Sequence, residues 1–117
     1  MSIKVYGIKN CNTMKKTFDF LAEKGVEYDF IDYKKQKPSS ALLEGFLKKT
    51  DLANLVNKKG TTYRKMTDEQ KSALENEETA IPILEENSSM IKRPVIVYKD
   101  GSLSLGFDKE VIEEHLK

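Results

Sequence analysis

Ile3-Lys4-Val5-Tyr6-Gly7-Ile8-Lys9-Asn10-Cys11-Asn12-Thr13-Met14-Lys15-Lys16-Thr17-Phe18 is the stretch on which the reading of the fold turns. Ile3 to Tyr6 reads as a short strand. From Asn12 the period changes: Met14, Phe18, Leu21 and Ala22 fall at i, i+4, i+7 and i+8 on one helix face, and Gly25 is a natural stop. Val26, Tyr28 and Phe30 then alternate with Glu27 and Asp29, the period-two pattern of a strand with one buried face. Strand, helix and strand in so short a stretch predict a parallel βαβ unit with a right-handed crossover.

Cys11, the chain's sole cysteine, sits where the strand gives way to the helix. The first turn of a helix presents unpaired N–H groups and a partial positive charge. A thiol placed there is drawn toward thiolate, and its pKa falls from about 8.5 into the range of roughly 3.5–7.5. Lys9, Lys15 and Lys16 are expected to add positive potential on the same side. A free cysteine is often no more than a small buried apolar residue. The polar neighbours Asn10, Asn12 and Thr13 mark a loop-to-helix junction instead, and favour a reactive thiol.

Outward from this unit, residues 34–38 form a polar loop, and Ser39 or Ser40 caps a helix carrying Leu42, Leu43, Phe46 and Leu47. The region that follows reads as helical or irregular, anchored by Leu52, Leu55 and Val56. Thr67-Asp68-Glu69-Gln70 is a capping box that starts another helix, and a last short helix holds Ile81, Ile83 and Leu84. At Pro94 the pattern changes back. Val95-Ile96-Val97-Tyr98 is a near-continuous β-branched run, as expected of a central strand covered on both faces. Asp100-Gly101 signals a hairpin; Leu103, Leu105 and Phe107 alternate with Ser102, Ser104 and Gly106 on the returning strand. Asp108 caps a final helix with Val111, Ile112 and Leu116. The order βαβ, helices, ββα predicts an α/β fold: a thioredoxin-like mixed four-stranded sheet with a helical insertion between its halves, over about residues 39–90 of one domain spanning 1–117.

Composition narrows the function. Hydrophobic residues at 38% and charged residues at 33% describe a soluble globular chain, and the net charge of +1 gives no general attraction to nucleic acid or membrane. No apolar run approaches the length of a membrane span. The first residues enter a strand at once, with no signal-peptide core, and one cysteine cannot form an internal disulfide; both point to a reducing cytoplasm. With one cysteine and one histidine, His115, no zinc site is expected, and His115 reads as a surface residue near a helix C-terminus. The basic residues are nearly all lysine, with Arg64 and Arg93 the two arginines. Arginine gives the planar, two-pronged grip on oxyanions, so a site needing three arginines cannot exist here.

Tyr6-Gly7-Ile8-Lys9-Asn10-Cys11-Asn12-Thr13-Met14-Lys15-Lys16, Gly60-Thr61-Thr62-Tyr63-Arg64-Lys65 and Ile91-Lys92-Arg93-Pro94 resemble the glutaredoxin-like arsenate reductase family, which comprises ArsC-type reductases, Spx transcriptional regulators and YffB-like proteins. The resemblance covers essentially the whole chain, including Leu105-Gly106-Phe107, and leans toward the YffB-like branch. It implies that Cys11 is the reactive cysteine and that Arg93 faces it and binds the anionic group of a substrate or of glutathione. It implies that Pro94 is the family's cis-proline, placing backbone beside the thiol. Backbone N–H groups around Asn12 and Thr13 would stabilise charge at the helix start, with Lys9 close by.

The departures from the arsenate reductases are as informative. Aligned by flanking residues, Asn57 and Gly106 stand at two of that enzyme's three arginine positions, and Gly7 stands where its histidine lies near the cysteine. Each lost charge-assisted bond removes roughly 1.5–3 kcal/mol, so arsenate reduction is disfavoured. Lys58 and Lys59 offer point charges without two-pronged geometry. Met14 occupies the fourth position of the Spx Cys-x-x-Cys switch, which therefore cannot operate. The expected function is a thiol-dependent monothiol reductase: Cys11 attacks an electrophilic sulfur or arsenic, and glutathione or another low-molecular-weight thiol, a co-substrate and not a bound cofactor, resolves the adduct. The alternative is an Spx-like regulator that binds RNA polymerase. Glutaredoxin and RNA polymerase are thus the candidate protein partners of an expected cytoplasmic monomer.

Overall fold

The computed structural model describes residues 2–117. The chain divides into two compact units: the residues up to Lys35 together with Arg93–Lys117, and Gln36–Lys92. In the first unit β1 (Ile3–Gly7), α1 (Asn12–Glu23) and β2 (Tyr28–Asp32) form the expected parallel pair and its helix, with Val5 opposite Phe30. In the second unit six short helical segments follow: α2 (Ser40–Leu47), α3 (Leu52–Leu55), α4 (Thr61–Arg64), α5 (Asp68–Ala73), α6 (Glu77–Glu86) and a 3-10 turn (Ser88–Met90). Back in the first unit, β3 (Val95–Val97), β4 (Leu103–Leu105) and α7 (Lys109–Leu116) complete the fold. The sheet order is β2-β1-β3-β4, with β3 antiparallel to both β1 and β4. That is a thioredoxin-like mixed four-stranded sheet.

Burial of Val5, Met14, Phe20, Leu21, Ile96 and Ile112 forms the core of the first unit. Each such side chain taken out of water contributes about 1.5–3 kcal/mol. The buried face of α1 is Met14, Thr17, Phe20 and Leu21, whereas Ala22 is exposed and Phe18 half-buried. Thr17 is the reason for the offset. Its hydroxyl donates to the Thr13 carbonyl at 2.9 Å, so no unsatisfied polar atom is buried and its methyl group can face the core. Phe18 instead covers the edge strand β2, stacked on Tyr28 at 5.8 Å between centroids and edge-on to Phe30 at 4.9 Å.

The returning strand also departs from its apparent pattern. Ser104 is buried while Leu103 and Leu105 are half-buried. The Ser104 hydroxyl pairs with the Tyr98 hydroxyl at 2.7 Å, and that bond makes an inward-facing serine tolerable. Tyr98 then stacks on His115, centroids 4.4 Å apart and rings 4° from parallel. His115 Nδ1 lies 3.0 Å from the Ser102 hydroxyl, which donates to Asp100 at 2.6 Å. His115 is therefore a half-buried clasp between α7 and the β3–β4 hairpin as well as a helix-end residue. Asp108 caps α7 as expected, but Val111 faces outward at 41% exposure.

In the second unit Ser39 caps α2, and Thr67 with Gln70 closes a reciprocal capping box. α6 is longer than the short helix expected, ten residues with Pro82 inside. Proline removes one helical donor and clashes with the preceding turn. Here Pro82 is exposed, and an N-cap at Asn76 and buried Ala80, Ile81 and Leu84 hold the helix on both sides of it.

Two outcomes test this packing. His115→Ala loses the ring stack and the Ser102 bond, and denaturant unfolding should show a loss of about 1–2 kcal/mol. Tyr33 is buried, and its hydroxyl has no hydrogen-bond partner among the described residues. Burial, and secondarily the nearby Tyr6, pushes its ionisation well above the ordinary phenol value. The folded state therefore favours neutral phenol: this contribution is intact below about pH 10 and is lost as pH rises beyond it. Tyr33→Phe should leave stability at neutral pH equal or higher and flatten its decline on the alkaline side, as read by thermal melts across pH.

Candidate functional site

The site begins with how β1 ends. Gly7 closes the strand, and its carbonyl accepts from the Tyr33 N–H at 2.8 Å. Cys11 is the N-cap residue of α1, with extended backbone (φ −144°, ψ 133°), and its N–H donates to the Lys9 carbonyl at 3.0 Å. The N–H groups that face an N-cap side chain are those two and three residues on, here Thr13 and Met14. The sulfur makes no capping hydrogen bond of ordinary geometry. Those N–H groups nevertheless lie close enough to favour negative charge on it.

Cys11 is half-buried and packs against the core of its unit. Partial burial alone pushes the thiol pKa up. The Met14 N–H, the Thr13 N–H, the Arg93 guanidinium and the Thr13 hydroxyl all pull it down, and together they win, leaving it below the ordinary thiol value. Each helix-end interaction of this kind supplies about 0.3–1 kcal/mol, so no single one would overcome burial.

Of the residues expected here, the fold brings Thr13 and Arg93 to the sulfur. Arg93 is half-buried and precedes β3. Pro94 is buried, its bond to Arg93 is cis, and its carbonyl accepts from the Gly106 N–H at 2.9 Å. Tyr6 pairs with Val95 across the antiparallel β1–β3 ladder, which sets Pro94 level with Gly7. Asn12 and Lys9 have exposed side chains, and Lys9 meets Cys11 through its carbonyl. The ammonium groups of Lys9, Lys15 and Lys16 are not among the groups that shift the thiol, because long solvated side chains are screened. The N–H groups that act on the sulfur are those of Thr13 and Met14. Reading Cys11 as the cap itself, one residue before the helix, would have identified Met14 from the sequence.

Two glycines of this unit stand where a side chain is disfavoured. Gly106 has φ +78°, a left-handed conformation that an arginine adopts only with strain. A Cβ at Gly7 would lie 2.6 Å from the Met14 sulfur, so any side chain there collides with Met14 as placed. Among the described residues no group of three His, Cys, Asp or Glu is arranged to hold a metal ion. A hollow of about 530 Å³ lies in this unit beside Ile3, Val26, Tyr98, His115 and Leu116, and none of the expected site residues borders it. Also among the described residues, no helix is long and apolar enough to cross a membrane.

The arrangement places a thiol whose ionisation is favoured beside one guanidinium. Alkylation of Cys11 followed against pH should show a midpoint below the roughly 8.5 of a free thiol. Arg93→Ala should move the midpoint up, whereas Lys9→Ala, Lys15→Ala and Lys16→Ala should leave it in place.

Comparison with known proteins places the whole chain. The ArsC family model matches residues 6–115. An uncharacterized Haemophilus influenzae protein is 37% identical over 108 residues, covering 92% of this chain and 93% of its own. The Bacillus subtilis protein YusI is 30% identical over 118 residues, covering 98% of both. Among solved structures, a YffB protein superposes with a TM-score of 0.91 at 36% identity, over 99% of this chain and 100% of that one. An arsenate reductase (ArsC) related protein from Brucella melitensis matches with a TM-score of 0.76 at 39% identity, over 100% of this chain and 96% of its own. On these matches the chain belongs to the ArsC family.

Proposed function

We propose that this protein is a thiol-dependent oxidoreductase that works through the single thiol of Cys11, with glutathione or a similar small thiol as reductant. One observation carries the reading: the sulfur is half-buried at the cap of α1, where two backbone N–H groups and Arg93 favour its thiolate. Membership of the ArsC family and the likeness to YffB support it.

The Cys11 thiolate attacks one sulfur of a disulfide. The S–S bond breaks, its electron pair leaves with the other sulfur, and that thiolate takes a proton from solvent. Cys11 is left in a mixed disulfide. No second protein thiol can resolve it, so a small thiol, as its thiolate, attacks the Cys11 sulfur, and the rest of the substrate leaves as a thiolate that takes a proton. A second small thiolate then attacks the small-molecule sulfur now bound to Cys11, forming the reductant disulfide and releasing the Cys11 thiolate. One substrate disulfide becomes two thiols, and two molecules of the reductant become one disulfide. Arg93 holds a carboxylate of the incoming molecule, Pro94 presents backbone beside the sulfur, and the first turn of α1, with Asn12, Thr13 and Lys9 at its approach, stabilises the negative charge.

Arsenate is the less suited substrate. Arg93 is the one arginine of its compact unit, with Arg64 in the other, and Gly106 disfavours a further one. The setting that suits this chemistry is a reducing cytoplasm, with the protein a monomer and glutaredoxin a candidate partner in recycling. Intact-mass measurement after incubation with oxidised glutathione should find one glutathione on the wild type and none on Cys11→Ser. Arg93→Ala should form the adduct roughly tenfold more slowly, as loss of one charge-assisted bond implies. A wild type that takes up no glutathione overturns this reading in favour of an Spx-like regulator, for which binding to RNA polymerase by the Cys11→Ser protein is the corresponding test.

A further inference from the structure

Two facts about the β1–α1 junction have no place in that chemistry. Met14 has no solvent exposure at all, although it stands in the first turn of a helix whose neighbouring positions 12, 15 and 16 are exposed. Its thioether also fills the room above Gly7: a Cβ built on Gly7 would meet Sδ at 2.6 Å and Cε at 2.7 Å. A methionine end can usually swing aside, but here it has no open solvent to swing into. Positions 7 and 14 are therefore a steric pair, one empty because the other is full. They join the last residue of β1 to the first turn of α1 across the loop that carries Cys11.

We infer that Met14 is a positioning residue for the reaction: wedged over Gly7, it pins the first turn of α1 to the end of β1 so that the Thr13 and Met14 N–H groups stay aimed at the Cys11 sulfur. The inference rests on the proposed role of Cys11 as nucleophile. Within the loop from Ile8 to Cys11 the Cys11 N–H donates to the Lys9 carbonyl, and the Cys11 carbonyl accepts from the Lys15 N–H of α1; these bonds shape the loop and the helix start but do not reach β1. Met14, whose thioether fills the space a side chain on Gly7 would need, reaches it at the very start of α1, ahead of the core contacts of Phe20 and Leu21. With Met14 where it stands, the pair also leaves no room for a side chain at position 7.

Substituting Met14 leaves its N–H in place, so a change in thiol ionisation reports aim and not loss of a donor. The test follows Cys11 alkylation by iodoacetamide against pH for the wild type, Met14→Ala, Met14→Leu, Gly7→Ala and the double variant Gly7→Ala/Met14→Ala, each checked for folding by circular dichroism. Met14→Ala should raise the midpoint by about one pH unit, a tenfold loss of thiolate where most of the thiol is protonated. Met14→Leu, which keeps the bulk, should stay near the wild type. Gly7→Ala should raise the midpoint by forcing Met14 out, and the double variant should recover at least half of that rise, since the new methyl fills the room the thioether left.

A folded Met14→Ala with an unchanged midpoint overturns the inference while leaving the thiolate reading intact. So does a double variant whose shift is the plain sum of the singles. Should Met14→Ala fail to fold, Gly7→Ala against Met14→Leu decides the matter by the same midpoints. A wild-type midpoint at the value of a free thiol overturns the nucleophile reading itself, and this inference with it.

Discussion

A thiol at the cap of α1 is held between opposing influences, and the rest of the site depends on how they balance. Burial against the core disfavours the charged form. Backbone donors of the first turn, a threonine hydroxyl and one guanidinium favour it, and their sum exceeds the burial cost. None of these groups is a strong base, so the reactivity proposed for the thiol rests on placement. This makes the geometry of the strand-to-helix turn more important than the identity of any one polar side chain.

The sheet explains why that turn and Arg93 meet. β1 is the central strand that pairs with both β2 and β3, and α1 springs from the end of β1 that lies level with Pro94. Residues far apart in sequence are thereby set side by side by the antiparallel β1–β3 register. The remaining contacts of this unit secure that register: Phe18 covers β2, Tyr98 and Ser104 share a buried hydrogen bond, and His115 fastens α7 to the hairpin. Gly106 turns with positive φ while bonded to Pro94, so the segment carrying the cis bond is also braced from β4.

Much of this could be read from local pattern. The βαβ opening, the Asp100-Gly101 hairpin, the capping box at Thr67 and the cap at Asp108 each depend on residues within a few positions of one another, and each formed as the pattern implies. What escaped the sequence depends on hydrogen-bond and ring partners that a hydrophobic pattern does not show. Thr17 looked polar until its hydroxyl bonded one turn back, and Ser104 until Tyr98 met it. His115 looked like a surface residue because its partner ring, Tyr98, lies at the start of the β3–β4 turn. Val111 looked apolar enough to be buried, yet α7 needs only Ile112 for its fully buried contact. At the site, Cys11 and Arg93 were legible, but the division of labour was not. The lysines near Cys11 in sequence contribute no resolved pull, and Met14, which reads as an ordinary core residue, supplies a donor and the contact over Gly7.

Direct titration of the Cys11 thiolate by its far-ultraviolet absorbance, taken as the difference between wild type and Cys11→Ser so that tyrosine ionisation cancels, tests the central claim most plainly. The account predicts a single ionisation centred below about 8.5, the value for an unperturbed thiol. An ionisation centred at or above that value would mean that burial prevails over the first-turn donors and Arg93, and would contradict it.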